Sequence, residues 1–259
     1  MSLFEDHEFS NNQSVKQEYY ANGWASFADF CSDLDNSIFS VERQVSEDQN
    51  DPNNLGLFDK NSRLLKDHDR IKKEIYGFAQ QFIQEPVDFF EFGVLGGTSF
   101  KCWVDDLKHP DCRFYGFDTF RSYPEAWVLK KEHETIVYRE KADPKLDKGG
   151  LTPADTGRVV DSRAQFIAGS FQETVPQFFS DYKSTRQLVI HINSDLYSSC
   201  LVALTSLHRF LKSGDIIVFG GFDILNEFAA FNDYVRSFYM KDRLQCIARG
   251  PHHYVFKLK

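Results

Sequence analysis

The chain has no Cys-x-x-Cys pair, and its five cysteines (Cys31, Cys102, Cys112, Cys200 and Cys246) are odd in number. Both facts disfavour a disulfide framework or a zinc knuckle, and reduced thiols in a cytoplasmic setting are expected. No apolar run approaches the ~18 residues of a membrane span, so no membrane partner is expected. The opening Met-Ser-Leu-Phe-Glu-Asp-His-Glu is acidic and lacks an apolar core segment, unlike a signal peptide. A dense basic stripe is missing too. The formal net charge is -8 and Lys and Arg are scattered, which argues against nucleic acid and for a small or neutral partner.

What is present is 42% hydrophobic content over 259 residues, enough for a sizeable core. Phenylalanine, at 26 residues, is assigned to packing rather than to an aromatic binding surface. Residues 1–60 are polar and irregular, with a loop over 46–54, and are expected to be an arm, a lid or a dimer contact. Residues 61–259 are expected to form one domain. A helix beginning near Asn61 carries Leu64, His68, Ile71, Ile75, Phe78 and Phe82 on one face, and this amphipathic helix could also serve a homodimer. Pro86 lies beyond its end. Strands over 87–94, 113–118, 164–168, 188–193 and 215–219 then alternate with helices. Runs over 244–248 and 254–258 follow with no helix between them and read as an antiparallel end pair. The fold class is therefore α/β: a Rossmann-like, mostly parallel seven-stranded sheet with helices on both faces. Residues 121–160, including Lys148-Gly149-Gly150-Leu151-Thr152-Pro153, interrupt the alternation. They are expected to be a substrate-covering lid or a mobile insertion.

Ligands in such sheets bind at the carboxyl ends of the strands, where strand order reverses. Four strand-end segments carry the chemistry. Glu91-Phe92-Gly93-Val94-Leu95-Gly96-Gly97-Thr98-Ser99 makes a glycine-rich strand-to-helix turn, which brings backbone close to a ligand and offers N–H groups to an anion. It lacks the Gly-x-Gly-x-x-Gly spacing of dinucleotide sites, which disfavours a nicotinamide enzyme. Asp118, in Gly116-Phe117-Asp118-Thr119-Phe120, lies about 20 residues beyond these glycines, where a carboxylate can accept from ribose hydroxyls; a turn cap is its other reading. His191-Ile192-Asn193-Ser194-Asp195-Leu196-Tyr197-Ser198-Ser199 leaves the fourth strand. Asp195 could act as a general base on a hydroxyl. His191 alternates with apolar residues and is either a second base or a satisfied core histidine. In Phe219-Gly220-Gly221-Phe222-Asp223 two adjacent glycines suggest close approach to a ligand or a tight turn.

These segments, in this order, resemble the macrocin O-methyltransferase family of class I methyltransferases over residues 87–258. Also similar are Phe114-Tyr115-Gly116-Phe117-Asp118-Thr119-Phe120 with Pro124-Glu125-Ala126-Trp127, and Gly169-Ser170-Phe171-Gln172-Glu173-Thr174-Val175-Pro176. The resemblance implies that Glu91, Gly93, Gly97, Ser99, Asp118, Thr119, Ser170, Phe171 and Asn193 bind S-adenosylmethionine, with the Ser170-Phe171 turn near the adenine. It implies that Tyr197, Gly221, Phe222 and Asp223 face the acceptor. Members of the family carry His-Ile-Asp-x-Asp-Leu-Tyr where this chain has His191-Ile192-Asn193-Ser194-Asp195-Leu196-Tyr197, and an acidic pair at Gly220-Gly221. There the first Asp and the pair hold a divalent cation. A hard cation needs anionic oxygen ligands, so no divalent metal is expected here, with Asp223 the one nearby substitute.

The resemblance implies transfer of a methyl group to a small-molecule acceptor such as a sugar or other natural product. S-adenosylhomocysteine is the product, and Asp195 or His191 removes the acceptor proton. The alternatives are a cofactor-binding protein that has lost catalysis, or another reaction of the same sulfonium cofactor.

Overall fold

The computed structural model describes residues 22–44, 63–121, 123, 127–131, 134–138, 151–224 and 226–259, with backbone alone at 64, 65, 127–131, 134–138 and 224. The loop at 46–54, the helix start at Asn61, the side chain of Leu64, Pro124-Glu125-Ala126 and Lys148-Gly149-Gly150 lie outside it.

The first central strand, β2 (Val87–Phe92), is buried along its whole length. Its side chains alternate between two cores. Phe90 and Phe92 join a core with α4 (Phe171–Asp181), α5 (Tyr197–Leu207) and α6 (Asn226–Ser237). Val87 and Phe89 join the opposite core with α2 (Arg63–Gln80) and α3 (Thr98–Asp106). Within α2, Ile71 and Ile75 are fully buried against the sheet, so this part of its apolar face is not open to a second copy of the chain. Ten phenylalanines are among the largest fully buried side chains, which places the aromatic excess in packing.

The remaining strands of the main sheet are β3 (Arg113–Asp118), β6 (Ala164–Ala168), β7 (Gln187–Ile192), β8 (Ile216–Phe219), β9 (Leu244–Gly250) and β10 (His253–Leu258). Their order is β6-β3-β2-β7-β8-β10-β9. The first five run parallel, and β10 is antiparallel to both β8 and β9. These are the seven expected strands. An eighth, β1 (Phe39–Ser40), pairs parallel with β9 at the edge. Two residues are too few to show a hydrophobic period, so β1 had no sequence signal.

Residues 22–44, expected to be part of an arm, pack on the domain. The Ser26 hydroxyl caps α1 (Phe27–Ser32) by accepting from the Asp29 amide. Phe30 of that helix is buried against Phe222 and Tyr254. Val41 donates its N–H to Arg249 O and enters the second core. Within the expected insertion, β4 (Trp127–Lys131) and β5 (Glu134–Tyr138) form an antiparallel hairpin.

Candidate active site

Strands β3 and β6 lie on one side of β2, and β7 with the later strands on the other. Strand order therefore reverses between β2 and β7, and in open α/β sheets ligands bind at the carboxyl ends beside such a point. The strand ends stay tied one residue past the sheet. Gly93 N–H donates to Phe117 O and Asn193 N–H to Phe92 O, both at 2.9 Å. Gly93 has φ +93°, and a Cβ there would overlap the carbonyl oxygen of Asn193. Only glycine lets β2 turn this close to β7. Gly97, at φ +77°, leads into α3 without a side-chain cap.

Asp118 stands against this turn. Its Oδ2 accepts from Val94 N at 2.8 Å and Leu95 N at 2.7 Å, and its Oδ1 from Phe120 N at 2.8 Å. The turn-cap reading of Asp118 is thus realised, and its carboxylate holds Leu95 at φ +49°. From the other side the end of the insertion braces the same turn. Arg158 donates to Gly96 O, a Cβ on Gly97 would sit 2.8 Å from Pro153, and Val159 is buried in the α3 core.

Among the expected ligand residues, Glu91, Ser99 and Phe171 are buried. Glu91 is fully buried, and its Oε1 accepts from Ser99 Oγ at 2.5 Å. Its neighbour across the sheet, His191, is also fully buried. The ring has Nε2 3.1 Å from the Tyr76 hydroxyl and Nδ1 3.5 Å from Glu91 Oε2. With no exposed surface His191 cannot meet an acceptor, which corrects its reading as a base in favour of the core histidine. Ser170 precedes α4 and donates to Glu173 Oε2 at 2.9 Å. Phe171 packs edge-on against Phe92.

The acceptor-facing set also divides. Phe222 is fully buried among Phe27, Phe30 and Tyr254; it is core, not cleft. The exposed Tyr197 donates to Asp233 Oδ2 at 2.8 Å on the outer surface of α6. Asp223 turns toward the β9–β10 turn, where its Oδ1 lies 2.6 Å from His252 Nδ1 and its Oδ2 accepts from His252 N at 3.2 Å. Arg43 NH2 approaches the other ring nitrogen of His252 at 2.6 Å.

Asp195 and Gly221 do come together. A Cβ on Gly221 would lie 3.2 Å from Asp195 Oδ1 and 3.4 Å from Glu227 Oε2. Asp195 is partly buried with φ +59°, and its Oδ2 accepts from the Tyr123 hydroxyl at 2.7 Å. Burial raises its carboxyl above the ordinary range, opposed by the Tyr123 hydrogen bond.

Two further residues, Glu227 and Tyr123, belong to none of the four strand-end segments. Glu227 is fully buried, yet its Oε1 accepts from Ser194 N at 2.8 Å and Asp195 N at 3.2 Å, and its Oε2 from Gly221 N at 3.1 Å. A signal existed: Glu227 shares the buried face of α6 with Ala230, Phe231 and Tyr234, and a carboxylate on an apolar helical face needs a partner. Burial, and next the charge of Asp195, push its carboxyl from 4.5 up to about 8, while the three amides pull it down. Folded protein therefore binds more protons than unfolded chain between those values, so this group makes stability fall as pH rises from about 4.5 to about 8. The slope is at most about 1.4 kcal/mol per pH unit. Urea unfolding across that range should show a steeper fall of stability in wild type than in Glu227→Gln, which keeps only the contributions of other raised carboxyls such as Asp215.

A divalent cation does not fit this donor set. Asn193 is neutral, and its side chain occupies the space a Cβ on Gly220 would take. Asp195 Oδ2 is engaged by Tyr123, and both Glu227 oxygens by amides. A hard cation needs anionic oxygens directed at it, and the family's three carboxylate positions supply none here. Among the described residues no group of three or more His, Cys, Asp or Glu is placed to hold a metal.

An open sheet in this order, with a glycine turn after its first central strand and an acid after the next, defines a class I methyltransferase. The family model of the macrocin O-methyltransferases (TylF) matches residues 69–249, and the chain belongs to that family. Among solved structures it is similar in fold to CalS11, a calicheamicin methyltransferase, at 20% identity and TM-score 0.51, covering 74% of this chain and 79% of that one. The O-methyltransferase NovP gives 18% identity and TM-score 0.49, covering 75% and 80%. No curated protein matches the sequence.

Proposed function

We propose that the protein transfers the methyl group of S-adenosylmethionine to a hydroxyl of a small-molecule acceptor, a sugar or related natural product, without a divalent cation. The observation that carries this reading is the β2–β7 junction of a chain in this family, where the positive-φ glycine turn and Asp118 adjoin the strand end that bears Asp195. The cofactor, when bound, supplies a methyl group already activated on a sulfonium. Asp118 accepts three amide bonds, and a carboxylate has about four acceptor sites, so one remains for a ribose hydroxyl. Gly93, Gly97, Thr119 and Ser170 line the same strand ends, and Asn193 lies between the cofactor side and the acceptor side. Asp195 would take the acceptor's hydroxyl proton while the methyl group passes to that oxygen and its carbon–sulfur bond breaks, leaving S-adenosylhomocysteine. Burial raises the proton affinity of Asp195 above that of an ordinary carboxylate, which favours a base, and Tyr123 fixes its orientation.

Among the described residues no helix is long and apolar enough to cross a membrane, and all five cysteines are free. Both support a cytoplasmic setting as part of the proposal.

Titration calorimetry with S-adenosylmethionine and S-adenosylhomocysteine should show one site for each; binding of neither would sink the reading. Turnover on a panel of sugar and phenolic hydroxyls should fall about 100-fold or more in Asp195→Asn and about tenfold in Tyr123→Phe, with cofactor affinity unchanged in both. Full turnover in Asp195→Asn would remove the base assignment. Cofactor binding without turnover on any acceptor would instead favour a protein that has lost catalysis.

A further inference from the structure

The family resemblance implies that other members carry carboxylates at the positions of Asn193, Gly220 and Gly221 and hold a divalent cation with them. Here those positions carry no carboxylate, yet the loops after β7 and β8 are joined. The joint is Glu227. One of its oxygens holds the amides of Ser194 and Asp195 in the loop after β7, and the other holds the amide of Gly221 in the loop after β8. We propose that Glu227 is a positioning residue that takes over the cation's bridging role, and that Asn193, Gly220 and Gly221 are its complement.

The geometry is specific to this exchange. A side chain at 220 would overlap the Asn193 amide, and one at 221 would press on both Glu227 and Asp195. The acids that would build a cation site are thus excluded by the group that replaces it. The three amides also turn the positive ends of their dipoles toward Glu227, so the carboxyl is surrounded by donors and leaves a cation little to bind. Either protonation state serves, because a neutral carboxyl keeps acceptor capacity on both oxygens. The bridge also fixes the base. Asp195 is held by its own amide on Glu227, by its carbonyl accepting from Asn226 Nδ2 at 3.1 Å, and by its carboxylate on Tyr123. Glu227 therefore acts through Asp195. This last consequence rests on the methyl-transfer reading; the bridge itself does not.

The test begins with wild-type protein. Hydrogen exchange at the Ser194, Asp195 and Gly221 amides, and the melting temperature, should be unchanged by a chelator or by millimolar Mg²⁺ or Mn²⁺. In Glu227→Gln the side-chain NH2 faces a backbone N–H. Exchange on one side of the bridge, at Gly221 or at Ser194 and Asp195, should then quicken by about tenfold or more, while S-adenosylhomocysteine affinity stays within about threefold because Asp118 and the glycine turn are untouched. A merely structural glutamate would not predict the last arm. Adding Asn193→Asp, Gly220→Asp and Gly221→Asp to Glu227→Ala, which frees the space beside position 221, should make the melting temperature rise with Mg²⁺, which it does not do in wild type. Metal-dependent protection in wild type, or unchanged exchange in Glu227→Gln, would overturn the proposal. If Glu227→Gln does not fold, the wild-type metal arms still decide it. A chain that binds neither cofactor form would defeat the functional reading while leaving these arms intact.

Discussion

Gly93→Ala is expected to lower the melting temperature by about 10 °C and to abolish cofactor binding. Two independent costs meet at this position. The backbone sits at φ +93°, a conformation that costs a residue with a Cβ of order 1–3 kcal/mol. The new methyl would also overlap the carbonyl oxygen of Asn193. That atom is backbone, and its own residue is pinned by Asn193 N–H on Phe92 O at 2.9 Å, so it cannot swing away as a side-chain tip would. Overpacking of this kind costs a further 1–3 kcal/mol or so, and in a domain of this size each 1 kcal/mol is worth roughly 2–4 °C. The damage falls on the β2–β7 junction, where the glycine turn begins. Two other glycines serve as controls. Gly157 has φ +71° but nothing within 4 Å of a Cβ, so Gly157→Ala should show the conformational cost alone. Gly77 lies inside α2 with open space around it, so Gly77→Ala should raise the melting temperature slightly. Thermal melts of the three variants give the comparison. Equal effects at 93 and 157 would show that the contact with Asn193 is unimportant.

The same junction shows how far the sequence could be read. Long apolar runs bounded by glycine, such as those that became β2 and β7, identify themselves because a strand buried on both faces has no room for polar residues except paired ones. The helices after them carry a clear period. The strand ends are a different matter. Within a strand, alternation fixes which way a side chain points; past the last paired residue nothing local does. The family resemblance implies that Phe222 and Tyr197 face the acceptor, yet it fixes only their place in the chain. One turns into the core against Phe30, and the other outward to Asp233. His191 shows the converse. Its position inside β7 between Ile190 and Ile192 is compatible with a base and with a core residue, and only the placement of Tyr76 and Glu91 separates them. Glu227 was legible in principle, as a carboxylate on an apolar helix face. What it bridges was not, since Ser194 and Gly221 lie 33 and 6 residues away and meet it only in the fold. The edge strand β1 depends likewise on β9, more than 200 residues later, for its existence.

Asp118→Ala is expected to weaken S-adenosylmethionine binding about 100-fold, a size that matches the loss of one or two hydrogen bonds to a charged group. The structure gives this residue two tasks, and the variant alone does not separate them. Its carboxylate holds the Val94 and Leu95 amides of the glycine turn and the Phe120 amide of its own loop. On the proposed reading it also accepts from the cofactor's ribose. If ribose contact dominates, wild type should discriminate strongly between S-adenosylhomocysteine and an analogue lacking the ribose hydroxyls, and Asp118→Ala should bind the two about equally. If bracing of the turn dominates, the variant should weaken both ligands by the same factor. Asp118→Asn sharpens the choice. Its carbonyl oxygen can still accept the Val94 and Leu95 amides, but its NH2 group then faces Phe120 N–H and offers no acceptor beside it. Bracing is thereby largely kept while half of the carboxylate's acceptor capacity is lost. The ribose role predicts Asp118→Asn close to Asp118→Ala in calorimetry, and the bracing role predicts it close to wild type. Because the amides of Val94 and Leu95 belong to the turn that Arg158 also grips, a looser turn in Asp118→Ala should appear as faster amide exchange at Val94 and Leu95, and Asp118→Asn should not show it. Asp118→Asn affinity at the wild-type level, with wild-type exchange at both amides, would assign Asp118 to the turn and leave the ribose without its carboxylate.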